Sequence, residues 1–199
     1  MRKLALLGVL LSGLAANVAA QTVGTPVFMA PYRAFTKSEI SGTFSDPGAG
    51  WALEGAYRYG QERFDIGFRA GILNYSSEGN DDQVQFLAGV DLRLRLIEHT
   101  EDFPLDGALT AGIGGSFGDF TQGFIPVGLS LGRRVELESG FSFVPYLQPV
   151  IGLTFGDDSD AIFAVGLGVD FKLSKTFDLR VTGGLGDIDG IGIGFAWIR

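Results

Sequence analysis

The sequence predicts an all-β protein, an antiparallel up-and-down transmembrane β-barrel. Three observations carry this prediction: a composition rich in glycine and phenylalanine, an N-terminal stretch typical of export, and long segments in which apolar and polar residues alternate. Beyond the N-terminal stretch there is no apolar run long enough for a membrane-spanning helix. Only helices and closed barrels satisfy every backbone polar group within lipid, so a membrane location would require a barrel.

The composition is unusual for a soluble domain. The 199 residues include 31 Gly and 17 Phe but no Cys, and only 19% are charged, whereas soluble domains average about 25%. Glycine in a helix interior costs about 1 kcal/mol relative to alanine, which argues against helices. The absence of Cys excludes a disulfide framework and a lipid anchor on cysteine. A net charge of −8 without basic clusters argues against a nucleic-acid partner.

The N-terminus has the pattern of a secretory signal. Arg2 and Lys3 precede an apolar run over Leu4–Leu14, and the small residues Ala19 and Ala20 follow. A membrane-spanning helix needs roughly 18–20 apolar residues, and this run is too short. We therefore predict a signal peptide over residues 1–20, an N-terminal periplasmic segment over 21–36, and the barrel over 37–199.

Alternation is clearest in Ala161–Leu173. Odd positions such as Phe163 and Val165 are apolar, while even positions include small residues and the charged Asp170 and Lys172. This period of two is typical of a strand with different surroundings on its two faces. We assign the apolar face to lipid and the other face to the lumen.

The same alternation predicts ten strands, of which the first is the weakest. Eight is the alternative, if two segments are merged or lie outside the wall. Bacterial single-chain barrels have an even number of strands and place both termini on the periplasmic side, which favours ten. The predicted strands are Lys37–Ser45, Trp51–Tyr59, Phe64–Ile72, Val84–Leu96, Leu105–Phe117, Ile125–Leu137, Phe141–Phe155, Ala161–Leu173, Phe177–Leu185 and Ile191–Trp197.

The lumen face carries a balanced set of acids and bases, mostly in the periplasmic half. Small barrels fill their interiors with side chains, and a buried charge is costly unless it is paired. The pattern therefore predicts an ion-pair network that plugs the lumen, with a gate or narrow pore as the alternative. The outer half of the lumen is predicted to be mostly Gly, Ala, Ser and Thr. The network residues are Glu54, Arg58, Asp65, Arg69, Asp91, Arg93, Arg95, Asp106, Arg134, Glu136, Asp170, Lys172, Asp178 and Arg180.

The predicted outside loops are short and acidic. Carboxylates suit hard divalent cations, so one hypothesis is a Ca²⁺ or Mg²⁺ bridge to anionic lipid headgroups. The favoured interpretation is a solvated acidic rim, because no complete cation-binding loop is present. The candidate cation ligands are Asp157, Asp158, Asp160, Asp187 and Asp189.

Three residues fit the pattern badly. Arg133 falls on the lipid face, where it is tolerated only if its side chain extends to the interface. Pro145 and Pro149 lie in one predicted strand, an even number of positions apart, so both missing N–H donors face the same neighbouring strand. That seam is predicted to be the loosest of the wall or to contain a bulge.

No catalytic site is predicted. The chain has a single histidine, His99, in a predicted periplasmic turn. A general base needs a nucleophile or substrate proton within reach, and the sequence places none beside it. We therefore expect no enzyme.

The last strand resembles the signal by which the outer-membrane assembly machinery recognises its clients, with Gly192, Phe195 and Trp197 at the expected alternation. It departs in that Ile198 and Arg199 follow the last aromatic residue. Together with the export signal and the alternating strands, the chain looks like the small bacterial outer-membrane barrels of the OmpA-like and OmpX-like type. This resemblance implies outer-membrane lipid, the barrel-assembly machinery and periplasmic chaperones as partners, and no cofactor.

Three functions remain open: a structural or surface-interaction barrel, a narrow channel for small solutes, and a soluble exported barrel for a lipophilic ligand. The third requires an apolar interior and a polar exterior, the inverse of the charge distribution predicted for this chain.

Overall fold

The computed structural model describes residues 25–31, 37–48, 50–75, 83–119, 121–156 and 159–199. The predicted signal peptide lies outside these ranges, as do parts of the predicted periplasmic segment. Within them, no helix is long and apolar enough to cross a membrane.

The described residues form eleven β-strands, and each corresponds to a segment of alternating sequence. The bounds agree with the predicted ones to within a few residues, except that one predicted strand is divided in two. The strands are β1 Glu39–Asp46, β2 Gly50–Gly60, β3 Phe64–Tyr75, β4 Gln83–Ile97, β5 Asp106–Phe117, β6 Gln122–Gly132, β7 Val135–Glu136, β8 Ser142–Gly156, β9 Ala161–Lys172, β10 Phe177–Gly186 and β11 Gly190–Ile198.

The strands close into an antiparallel barrel. Each pairs with its sequence neighbours, and β1 closes the ring by pairing with β11 from Glu39↔Ile198 to Asp46↔Ile191. The short β7 continues β6 against β8, because Gly132↔Tyr146 and Val135↔Phe143 belong to the same register. The wall therefore contains ten strands, as predicted, and not the alternative eight.

The two faces of the wall differ in chemistry, as β11 illustrates. Ile191, Ile193 and the two aromatic residues of the strand point outward with about half of each side chain exposed, whereas Gly192 and Ala196 are buried inside. Large exposed apolar side chains recur at alternate positions around the wall. The exterior is consequently an apolar surface, and the interior is lined by small, polar and charged groups together with a few buried apolar side chains.

The seam between β6–β7 and β8 is interrupted at both prolines, as the sequence indicated. Pro149 and Pro145 pair without a break with β9 on one side. On the other side the ladder with β6 and β7 lacks the pairs opposite these prolines and their neighbours Gln148 and Val144. The register is the same beyond each gap, so the irregularity is a loss of hydrogen bonds and not a bulge.

Arg133 lies in the gap between β6 and β7. Its guanidinium donates to the backbone carbonyl of Pro104 in the connection between β4 and β5, at 3.4 Å. The exposed side chain thus extends toward the predicted periplasmic end of the barrel, in keeping with its predicted reach to an interface.

Candidate functional site

The first group of lumen charges lies on β2, β3 and β4. Arg58 donates to both Asp65 and Asp91. Arg93 binds the same Asp65 through Nε at 2.8 Å and Nη2 at 2.7 Å. Arg93 and Asp65 are almost entirely buried, with side-chain exposures of 3% and 1%. Three adjacent strands are therefore joined across the lumen face by charge-assisted hydrogen bonds.

Arg69 extends this group toward the middle of the lumen. Its guanidinium lies 3.3 Å from Asp91 and 3.7 Å from Glu54. Glu54 also accepts a hydrogen bond from Thr25 of the N-terminal segment. The group of Glu54, Arg58, Asp65, Arg69, Asp91 and Arg93 thus contains three acids and three bases in mutual contact.

A second group lies on the lumen face of β1, β10 and β9, where it spans the intervening β11. Arg180 binds Glu39 through both terminal nitrogens, at 2.9 and 2.7 Å, and its Nε lies 3.4 Å from Asp170. The sequence analysis omitted Glu39 from the network. The signal was available, because Ile40 points outward and Glu39 must then point inward.

The remaining predicted network residues lie nearer the inner end. Arg95 pairs with Glu98 at 3.3 Å, and Asp106 holds both the backbone N–H and the Nδ1 of His99 at 3.1 Å. These contacts fix the connection between β4 and β5 and do not cross the lumen.

Arg134 and Glu136, which lie 3.9 Å apart, are largely exposed and belong to the same inner end. Asp178 is buried and directly opposite Lys172 in the β10–β9 ladder. The structure therefore gathers the predicted charges into two buried groups and a looser set at the inner rim.

The N-terminal segment Thr25–Pro31 lies inside the barrel. Residues 21–36 were predicted to form a periplasmic segment, and their sequence does not indicate a position in the lumen. The Phe28 N–H donates to Thr182 Oγ1 of β10 at 3.3 Å, and the Phe28 carbonyl accepts from the Tyr146 hydroxyl of β8 at 3.1 Å. Because these strands form the wall, a segment bonded to their inward side chains must lie in the lumen.

Met29 bridges the interrupted seam from within. Its N–H donates to Gln148 Oε1 at 2.8 Å and its carbonyl accepts from Ser130 Oγ at 2.5 Å. Ser130 and Gln148 stand opposite each other on β6 and β8, where the ladder lacks their pair. The segment thus supplies hydrogen bonds across the place where Pro149 removes them.

Phe28 fits against a wall of glycine. Any side chain added at Gly166 of β9 would collide with the Phe28 ring. One at Gly184 of β10 would first collide with the Ile188 backbone carbonyl and would also approach the Phe28 ring at 3.1 Å. Ile188, in the β10–β11 connection, is buried in the same apolar cluster. Glycine at these two positions therefore creates the space that the aromatic ring occupies.

The outer half of the lumen is more apolar than predicted. Phe124 and Leu87 are fully buried inward-facing side chains, and they belong to two apolar clusters. The predicted lining of mostly Gly, Ala, Ser and Thr omitted these inward positions with large side chains, although small residues such as Ser45, Ala52 and Ala164 are also buried there. The clusters are Phe28, Ala30, Phe124, Val144, Tyr146, Val150, Ile162, Ala164 and Ile188, and Ala52, Leu73 and Leu87.

Little space remains around the segment. Cavities of about 60 and 40 Å³ flank it, the first against β4, β5 and β6 and the second among the ion pairs. Such volumes hold a few water molecules, since one water needs about 10–15 Å³. A larger cavity of about 210 Å³ lies at the inner end, lined by residues that include Lys37, Asp170 and Lys172. In the described part of the lumen, the segment and the ion pairs therefore leave small cavities around themselves and a larger one at the inner end.

The acidic rim has structural contacts where it is described. Asp187 accepts from the Phe163 N–H at 2.8 Å, and Asp160 accepts from the Ala161 N–H at 2.7 Å. Asp189 lies beside Gly48, where an added Cβ would meet its carboxylate at 3.4 Å. Among the described residues no three metal-ligating side chains come together, and the candidates Asp157 and Asp158 lie outside them.

The closed ten-stranded antiparallel wall with an apolar exterior defines an outer-membrane-type β-barrel fold. The chain resembles the β-domain of the Bordetella autotransporter BrkA, with a TM-score of 0.51 and 15% identity over 81% of this chain and 98% of that one. At this identity the likeness concerns the fold. No family model matches the chain, and no curated protein matches it significantly.

Proposed function

We propose that this chain is a non-enzymatic outer-membrane barrel with a closed lumen, serving a structural or surface-interaction role in the cell envelope. The observation that supports the proposal is the packing of the segment Thr25–Pro31 and two ion-pair groups inside the barrel. The apolar exterior suits lipid. The lumen charges bind one another and the backbone of the segment. A structural role therefore accounts for them without a transported solute.

The non-enzymatic part of the proposal draws support from His99. Its ring nitrogen Nδ1 lies 3.1 Å from both oxygens of Asp106, in the connection that joins β4 and β5. This pair holds a turn, since Asp106 also accepts the His99 backbone N–H. A fixed turn at the inner end is a poor position for action on surface lipid or extracellular substrate.

Assembly by the outer-membrane machinery with periplasmic chaperones belongs to the same proposal. Phe195 and Trp197 of β11 point outward, and Phe177 stacks on Phe195 with ring centroids 5.5 Å apart. The two aromatic residues of the resemblance are therefore presented on the lipid face of the strand that closes the barrel, while Gly192 faces inward. On this basis we assign the chain to the OmpA-like and OmpX-like barrels.

A narrow channel is the second candidate. It is favoured by the fact that the segment is not one of the strands of the wall. Removing the segment would leave a gap between the two ion-pair groups and would break no strand pairing. In this alternative the segment is a gate and the native protein opens part of the time.

Single-channel recording in planar bilayers separates the two candidates. We expect no stepwise conductance from the native chain over long recordings. Stepwise openings of the native chain would refute the closed barrel and support the channel. The double variant Phe28→Asp with Ala30→Arg is the comparison, because it places charges where the segment packs against apolar groups. If only this variant conducts, the segment closes the lumen. If neither the variant nor the native chain conducts, the ion pairs close it.

A further inference from the structure

The wall binds the N-terminal segment mainly through its backbone. From Phe28 to Ala30, two N–H groups and three carbonyls are bonded to side chains of four strands: Thr182, Tyr146, Gln148, Ser130 and Arg93, the last to the Ala30 carbonyl at 2.6 Å. Backbone groups are common to all peptides. A set of inward side chains that satisfies them in succession is the main-chain part of a peptide-recognition site.

Two side chains of the segment supply specificity. The Phe28 ring is 6% exposed and occupies the space left by Gly166 and Gly184. Ala30 is 1% exposed and borders only the cavity of about 40 Å³ among the ion pairs, so a long side chain at that position would have to displace its neighbours. Met29, between them, is only partly buried, and its thioether Sδ, a weak acceptor, receives one contact from Arg58 Nη2 at 3.0 Å. The site therefore selects an aromatic residue, then a variable one, then a small one.

We propose that the barrel lumen is a binding site for an extended peptide of the pattern aromatic–variable–small, occupied by the chain's own N-terminal segment. The inference rests on the proposed closed lumen and names what closes it. An isolated segment of this pattern binds the same side chains in trans when the tethered one is absent. The tether gives the native occupant an advantage, because linkage supplies an effective concentration in the millimolar range.

The test measures binding of a fluorescein-labelled synthetic peptide of residues 21–34 by fluorescence anisotropy. The receptor is the full chain carrying Phe28→Asp and Ala30→Arg, reconstituted in detergent, with β-structure verified by circular dichroism. We expect saturable binding to this receptor and at least about tenfold weaker binding to the native chain, whose site is occupied.

Peptide variants provide the specificity arms. Peptides carrying Phe28→Ala or Ala30→Leu should each bind at least about tenfold more weakly than the native peptide. The first substitution leaves the space of the ring empty, and the second adds volume at a buried position. A Val27→Ala peptide is the matched control: Val27 borders both cavities, and its affinity should stay within about threefold. Equal binding of all peptides, or binding of none, would overturn the proposal.

A second measurement serves if the receptor variant does not fold. The chain has no cysteine, so Ala30→Cys in the otherwise native chain gives one buried thiol, and Lys37→Cys gives an exposed one for comparison. Maleimide should label the thiol at position 30 much more slowly than the thiol at position 37. Excess native peptide should accelerate the labelling of position 30 and leave the labelling of position 37 unchanged. Equal labelling rates, or no acceleration by the peptide, would contradict the site. Conductance of the native chain tests closure independently of this binding.

Discussion

Arg93 joins Asp65 of the neighbouring strand to the carbonyl of Ala30, so one guanidinium connects the barrel wall to the segment inside it. The carboxylate contacts are 2.8 and 2.7 Å and the carbonyl contact is 2.6 Å. A group in this position cannot be removed without leaving buried polar atoms unpaired.

Arg93→Ala should lower the free energy of unfolding by roughly 3–5 kcal/mol, because it leaves a buried carboxylate without one of its two cations. Urea titration in lipid vesicles measures this. The matched control is Arg95→Ala, two residues along the same strand, whose partner Glu98 is 73% exposed; its loss should stay within about 1 kcal/mol. Equal losses for both variants would indicate a hydrated lumen in which burial has no consequence.

Gly166→Leu should expel the N-terminal segment, because its side chain would occupy the position of the Phe28 ring. Combined with Ala30→Cys, it should raise maleimide labelling at position 30 to nearly the rate of an exposed thiol. Gly55→Leu is the control, since position 55 is exposed and an added Cβ there meets its nearest atoms at 4.0 Å. Slow labelling in the Gly166→Leu chain would contradict the fit between ring and glycine.

The β6–β8 seam should exchange amide hydrogens faster than the β3–β4 seam, which is paired without a break from Phe64↔Leu94 to Tyr75↔Gln83. Pro149→Val restores an N–H donor and should slow exchange around Leu129. Pro104→Val, in the β4–β5 connection, should leave the seam unchanged. Uniformly slow exchange along both seams of the native barrel would be inconsistent with the interrupted ladder.

Millimolar Mg²⁺ or Ca²⁺ should leave the melting temperature of the reconstituted barrel unchanged. Asp160 and Asp187 already accept backbone N–H groups, and a ligand that binds the folded state would raise the melting temperature by mass action. A rise that disappears in Asp187→Asn would instead establish the cation bridge to lipid headgroups.

The wall could be predicted from sequence because lipid and lumen impose opposite preferences on successive residues. The alternation of inward and outward positions along each strand placed Arg58 and Arg180 inside the barrel. Glu39 could have been added by the same rule. Parity could not show that Arg180 would bind Glu39 in addition to Asp170, its partner in the β9–β10 ladder, since the closure of β1 on β11 brings Glu39 close to it. Two prolines of equal parity were sufficient to locate the weak seam.

The lumen segment could not be predicted in the same way. Thr25–Pro31 has no alternation, and its principal contacts use backbone groups that every sequence contains. The space for Phe28 is created by Gly166 and Gly184 on two different strands. A glycine facing a crowded interior and one facing an aromatic ring have the same signature in sequence, so only the assembled barrel distinguishes them.

The central claim is that the N-terminal segment lies inside the barrel, and nuclear Overhauser effects in lipid nanodiscs test it most directly. The account predicts cross-peaks between the Phe28 ring protons and the Hα protons of Gly166 and Gly184, together with a protected Met29 amide. Cross-peaks from Phe28 to lipid or water alone, with random-coil shifts over residues 25–31, would contradict it.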